Sequence, residues 1–332
     1  MSTPRQIMKS ILQGVVPERP LIVPIVFALG AKIENLSPSA YLDNPTKITN
    51  ALRQIRTQLR TDGVSCYFDS YLELEALGVE CHWDSTNQTR TIRPSENAQK
   101  GELPPGLRPA EDAAKIPRVK IAVDVIRRLN SLLRDEPLLM AGVSGPYTLA
   151  ARLTQLDANE IRHGEKPSES ALEVAASAIT KIASAIVEAG ANLIFIREEI
   201  LPPLWAEECE AWRSLLAPAF NIIRFYEALP VVQLGHEAGA TSNLAMIQQH
   251  QWDAVLCVPA TADSSLESAR TEISVLGLAL PLALLQAEDS VARIHSEITN
   301  RAPVLLTTDG DVPATTDLKR LMITFSSIAR RT

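Results

Sequence analysis

Eight short aliphatic runs, separated by helix-length amphipathic stretches, constrain this chain more than any other feature. They are Leu21–Phe27, Gly63–Asp69, Leu138–Gly145, Asn192–Glu198, Val231–Glu237, Ala254–Pro259, Ser274–Leu280 and Pro303–Asp309. Runs that are apolar throughout, without polar alternation, read as strands buried on both faces, the condition of a parallel sheet covered by helices. The stretches Asn44–Arg60, Val119–Arg134, Ser168–Ala189 and Glu207–Ala228 supply the helical crossovers. In Ser168–Ala189 the residues Leu172, Ala175, Ala176, Ile179, Ile182 and Ala183 recur every three or four positions, which places them on one buried helix face. Eight such alternations in 332 residues predict a TIM (β/α)8 barrel. One domain is expected over residues 1–332, with an N-terminal helical extension (1–20) and an insertion between the second and third strands (79–117).

The insertion breaks the rhythm. CHWDSTNQTRTI (81–92) predicts a short hairpin, and PSENAQKGELPPGLRP (94–109) is rich in proline, glycine and charge, as a surface excursion is. Beside a barrel mouth such a loop serves as a lid or substrate wall, or is a plain insertion. The net charge of −7, with no block of lysine or arginine, argues against nucleic acid or an anionic membrane as partner. No apolar run is expected to reach the ~18 residues of a membrane span, and the N-terminal segment lacks a signal peptide's apolar core. Four cysteines without a CxxC pair suit reduced thiols and a cytoplasmic setting. A monomer or homodimer acting on a small molecule is the expectation.

Active sites of such barrels lie at the C-terminal ends of the strands. VVQLGHEAG (231–239) breaks from an aliphatic run into His236 and Glu237 flanked by glycines, as a strand end given over to chemistry does. The second strand ends on Asp69, with Tyr71 just beyond. The third runs into Ser144 and a turn that opens a helix at Tyr147, with Arg152 a turn later. The fourth ends Arg197-Glu198-Glu199, and the eighth gives Asp309 and Asp311. An acid at such a place also serves as the N-cap of the next helix, a role that fits Glu199 and Asp311. Arg197 either pairs locally with Glu198 or faces a substrate carboxylate. A core histidine held by a backbone carbonyl is the alternative for His236. Cys257 reads as packing, and Cys81 and His82 as incidental to the hairpin.

These residues resemble the uroporphyrinogen decarboxylase superfamily over nearly the whole chain. RQIMKSILQGVVPERPLIVPI (5–25) is similar to the superfamily's opening, FDSYLELEALG (68–78) to its aspartate block and GVSGPYTLAARL (142–153) to its "G-x-P-x-T-L" turn. EAGANLIFIREE (188–199) resembles "A-G-A-D-x-I-x-I-x-D/E", VVQLGHEAG the "H-x-C-G" block, and TDGDVPATTDLKRL (308–321) the closing block. The superfamily contains tetrapyrrole decarboxylases and corrinoid-dependent methyltransferases. In the decarboxylases an arginine-rich segment after strand one grips carboxylates. Here residues 28–42 carry one lysine and no arginine, Arg152 stands in place of a tyrosine, and Asp309 replaces a histidine. Asp69, the residue that would bind pyrrole N–H groups, is retained.

The methyltransferase branch is the better likeness. Its members bind zinc through "H-x-C" after strand five and a cysteine after strand eight, and the metal makes a thiolate that accepts methyl from cobalt. His236 is retained, but Ala238 and Asp309 occupy the cysteine positions, and the branch's "G-N" after strand seven is replaced within GLALP (277–281). The resemblance therefore implies a harder site, His236 with Asp309 and Glu198 or Glu237, holding a divalent metal: zinc first, with manganese or iron also admitted. The leading expectation is a corrinoid-linked methyltransferase whose corrinoid rides on a separate partner protein, with Asp69 orienting or deprotonating substrate and Tyr147, Arg152 and Arg197 in the site. The first alternative is a metal-independent tetrapyrrole decarboxylase in which Arg152 and Arg197 hold carboxylates. The second is a non-catalytic barrel that binds a tetrapyrrole or other small ligand.

Overall fold

The structure, a computed structural model, describes residues 2–84, 89–93, 100–133, 137–235, 243, 246–247, 249–250, 252–260, 276–287 and 289–331. Eight parallel strands form the barrel: β1 (Leu21–Ile22), β2 (Gly63–Tyr67), β5 (Leu138–Ser144), β6 (Leu193–Glu198), β7 (Leu229–Leu234), β8 (Val255–Pro259), β9 (Leu276–Leu280) and β10 (Leu305–Thr308). Hydrogen bonding runs in the order β1-β10-β9-β8-β7-β6-β5-β2, so the first two strands border the seam of a nearly closed TIM barrel. The other two strands, β3 (Cys81–Asp84) and β4 (Thr89–Ile92), pair antiparallel as the expected hairpin.

The first strand is shorter than its aliphatic run predicts, and Pro24 explains why: it has no N–H to give a ladder. Beyond it the chain is tied by side chains instead. Ile25 N donates to Thr308 Oγ1 (3.0 Å) and Val26 N to Ser65 Oγ (3.0 Å), while the Ser65 hydroxyl donates to Pro24 O (2.9 Å). Asp62 adds a further tie, accepting Ile22 N at 2.8 Å and pairing with Arg19. Two polar side chains, Ser65 and Asp62, thus reinforce a seam that backbone bonding crosses through Asp62 N to Ile22 O at 2.9 Å.

The expected helices form on the outside. Helix α1 (Pro4–Leu12) is the N-terminal extension, opened by a Thr3/Gln6 capping box. Helices α2 (Leu29–Ile33) and α3 (Pro38–Leu42) lead into α4 (Pro45–Leu59), capped by Asn44, and α5 (Leu72–Ala76) follows β2. After the insertion come α6 (Pro117–Leu133), α7 (Pro146–Leu153), α8 (Ala158–Arg162), α9 (Glu169–Glu188) and α10 (Ala206–Phe225). Later helices span Leu282–Gln286, Ser290–Arg301 and Leu318–Arg331. Contrary to the expectation that no apolar run is long enough, α9 reaches the length and hydropathy of a membrane span, with a mean hydropathy of 1.4. It lies against α7, α10 and β5, with Ala171, Ala175, Ala178, Ile179, Ile182, Ala183, Ile186 and Val187 buried, which is the packing of a barrel's covering helix.

Candidate active site

The mouth is organised around the turn from β5 into α7 and the end of β6. Side chains alternate between faces along a strand, so consecutive residues of β6 do different work. Glu198 points into the helical layer and is fully buried. One carboxylate oxygen accepts Tyr147 N (3.1 Å) and Trp212 Nε1 (2.9 Å), and the other accepts Thr148 N (2.9 Å) and Thr148 Oγ1 (2.7 Å). It binds the free amides at the start of α7. Burial still lifts its carboxyl to about 7. With four donors on its two oxygens, Glu198 serves in the described contacts as an internal cap of α7.

Glycine makes this arrangement possible. A Cβ at Gly145 would overlap the Glu198 carboxylate, and one at Gly142 would overlap the Phe68 ring. A second buried acid, Glu73 of α5, accepts Ser144 N and Ser144 Oγ at 3.0 Å each, and burial raises its carboxyl above the usual range. Sequence reasoning missed Glu73. Its only signal was an acid among the buried leucines of LELEA.

Arg197, one residue before Glu198, faces the mouth. It stacks its guanidinium on Phe68, 4.9 Å from the ring centre, pairs with Glu199 at 3.1 Å and donates to Asp309 O at 3.3 Å. Burial lowers its pKa, and its Nε is buried with no hydrogen-bond partner among the described residues. Arg152, from the last turn of α7, donates to Ser70 O (2.8 Å) and to the other oxygen of Glu199. Two guanidinium groups therefore share one carboxylate, which is about one-third exposed. Phe68, Asp69, Ser144, Thr148, Arg152, Arg197 and Glu199 line a cleft whose free interior is about 10 Å³, room for roughly one water.

Asp69 sits in this cleft but is already engaged. Arg90 of the hairpin donates to both its oxygens at 2.9 Å, and Tyr71 N donates to one of them at 3.0 Å. The side chains of Asp69 and Arg90 are each 4% exposed. Arg90 also pairs with Glu75, which in turn pairs with Arg118, and it lies over the rings of Tyr71 and Trp83. The hairpin is thereby pinned over the second strand's end, with the Tyr71 hydroxyl donating to Arg90 O at 2.6 Å.

The remaining expected residues are dispersed. Tyr147, in the first turn of α7, is buried and does not line the cleft, and desolvation pushes its phenol to about 12. Asp309 accepts Leu282 N at 3.1 Å. Asp311 accepts Phe27 N (2.7 Å) and Ala28 N (2.8 Å), joining the ends of the first and last strands, and desolvation lifts it to about 7. His236 and Glu237 lie outside the described residues. Among the described residues no group of three or more His, Cys, Asp or Glu side chains is placed to hold a metal ion. Cys66 and Cys257 are buried, and burial drives both thiols far up.

At the strand ends the mouth thus presents two arginines, bridged by the Glu199 carboxylate, against an aromatic ring. A family model described as Uroporphyrinogen decarboxylase (URO-D) matches residues 3–326. No curated protein matches the sequence. Among solved structures, a methyltransferase from Methanosarcina mazei is similar over 100% of this chain and 99% of its own, at 15% identity and a TM-score of 0.77. A B12-independent methionine synthase from Shewanella sp. W3-18-1, in complex with selenomethionine, is similar over 86% of this chain and 88% of its own. Its identity is 14% and its TM-score 0.50. At such identities the likeness is one of fold.

Proposed function

Because the chain belongs to the uroporphyrinogen decarboxylase (URO-D) family, we propose that it is an enzyme that transfers a methyl group to or from a small carboxylate-bearing substrate. The substrate would bind at the C-terminal mouth of the barrel. The observation that carries this reading is the Arg152–Glu199–Arg197 trio, two cations on one carboxylate, with the Arg197 Nε donor left over. A buried donor without an acceptor is costly, and a substrate carboxylate on Arg197 relieves it while competing with Glu199 for the fork of each guanidinium. The Phe68 face and the narrow cleft then exclude water and fix the substrate's orientation.

Methyl transfer rather than decarboxylation is supported by the full-length fold likeness to a methyltransferase and by the state of Asp69. The decarboxylase reading needs that carboxylate open to pyrrole N–H groups, whereas Arg90 and Tyr71 N hold it. The same contacts leave Asp69 a positioning acid at most, not a base. The other methyl carrier in this proposal is a corrinoid on a partner protein. A divalent metal, zinc in the first instance, belongs to the proposal through His236, Glu237 and Asp309. The described donors alone do not make a metal site, so the arginine pair is the part of the chemistry argued from geometry.

The test is to mix the protein with free cobalamin and methylated donors with and without a carboxylate, following the cobalt absorbance. Methyl exchange with the carboxylate donors is expected, with KM raised at least tenfold in Arg197→Gln. Porphyrinogen decarboxylation without any cobalamin response would overturn the reading, as would a barrel that binds either chromophore and turns over neither.

A further inference from the structure

The mouth cleft is too small for a whole substrate, yet it does not end at Arg152. On the other side of that residue a second cavity of about 350 Å³ opens beneath the insertion, in the size range of small-ligand sites. Its floor is the end of α7, with Leu153 and Gln155. Its walls are Val79 and Ile92 of the hairpin region and the loop carrying Pro105 and Leu107. Arg152 lines both spaces. We infer that this cavity is the binding site for the body of an elongated amphiphilic substrate whose carboxylate lies on Arg152 and Arg197, so that the insertion sets substrate specificity.

The inference rests on the carboxylate-binding reading of the mouth and adds what is attached to the carboxylate. Three features carry it. The cavity adjoins the arginine pair, since Arg152 lines both spaces. Val79, Ile92, Pro104, Pro105, Leu107 and Leu153 give its lining an apolar side beside the polar one, which suits a short aromatic or branched apolar group. Its one acid, Glu80, is already paired with Arg93 at the rim, so no unpaired negative charge of the lining opposes an anionic ligand. The hairpin wall is fixed in place by the Arg90 bonds to Asp69 and Glu75, which makes the cavity a preformed site and not one that must assemble around its ligand.

The test is direct binding by calorimetry to the full chain, so that it does not depend on turnover. The probes are 4-phenylbutyrate, butyrate (the anion without the body) and 4-phenylbutanol (the body without the anion). The wild type is expected to bind 4-phenylbutyrate at least tenfold more tightly than either of the others. Ile92→Trp fills the cavity from the hairpin and is expected to remove that advantage while leaving butyrate unchanged. Leu107→Trp fills it from the opposite wall and gives the same readout if the first variant disturbs the hairpin. Arg152→Gln should weaken both anions. Phenylbutyrate bound no better than butyrate, or bound equally well by both tryptophan variants, would overturn the cavity assignment while leaving the arginine reading intact. No binding of either anion, with no response to Arg152→Gln, would overturn both.

Discussion

At the scale of single residues the mouth shows how one position along a strand separates structure from chemistry. Arg197 and Glu198 are neighbours, yet the period of two sends one to the cleft and the other to the helical layer. That period was available in the sequence and separates Glu198 from the residues that face the mouth. The partners of Asp69 were not, because Arg90 is 21 positions away in an insertion that composition marks only as surface. Glu198 carries a prediction. Replacing it with glutamine turns an amide N–H₂ toward two donors, and the loss should be about 1–3 kcal/mol in denaturant melts. The pH response has a definite sign. The folded carboxyl titrates at about 7, above the ~4.3 of an unfolded glutamate. Its contribution to stability is therefore complete below the unfolded value and is lost as pH rises through about 7. The stability gap between wild type and Glu198→Gln should narrow from pH 5 to pH 8, and a gap that stays flat or widens would refute the raised carboxyl.

At the scale of elements, the β5–α7 corner and the hairpin bear the strongest constraints. Gly145 is the start of α7 and has an ordinary extended backbone, so it is glycine for room and not for conformation. Gly145→Ala should push Glu198 off the helix amides and cost about 1–3 kcal/mol, measured in urea, with the loss of protection at Tyr147 and Thr148 amides seen in hydrogen exchange. The hairpin depends on Arg90. Removing one partner of a buried ion pair typically costs about 3–5 kcal/mol, so Arg90→Met should strongly destabilise the chain and speed exchange across residues 81–92. A change under about 1 kcal/mol would show that Asp69 finds another partner. Element types were largely legible beforehand. Seven of the aliphatic runs became strands of nearly the expected extent within the described residues. The first shrank to Leu21–Ile22 because Pro24 cannot feed a ladder. The hairpin was legible in CHWDSTNQTRTI, but its bond to the barrel was not, since long-range ion pairs leave no local pattern.

For the whole molecule, closure of the barrel rests on a few side chains. Ser65 both donates and accepts across the seam between β1 and β2. Ser65→Ala leaves the amide of Val26 and the carbonyl of Pro24 without that partner, and about 1–3 kcal/mol of stability should go with it. A melt unchanged within error would mean that the seam is held elsewhere, through Asp62. The barrel itself was readable from eight apolar runs because burial on both faces writes itself into composition. The mouth was readable only as a set of polar strand ends, because pairing among them depends on segments far apart in sequence. One consequence follows from Arg90. The insertion supplies the countercharge for two acids, Asp69 and Glu75, that belong to the barrel proper. Glu75 keeps Arg118 of α6 as a second partner, but Asp69 has no other cation among the described residues, so a lineage cannot shed this flap in one deletion without stranding that carboxylate, and positions 69 and 90 must be inherited or rewritten together.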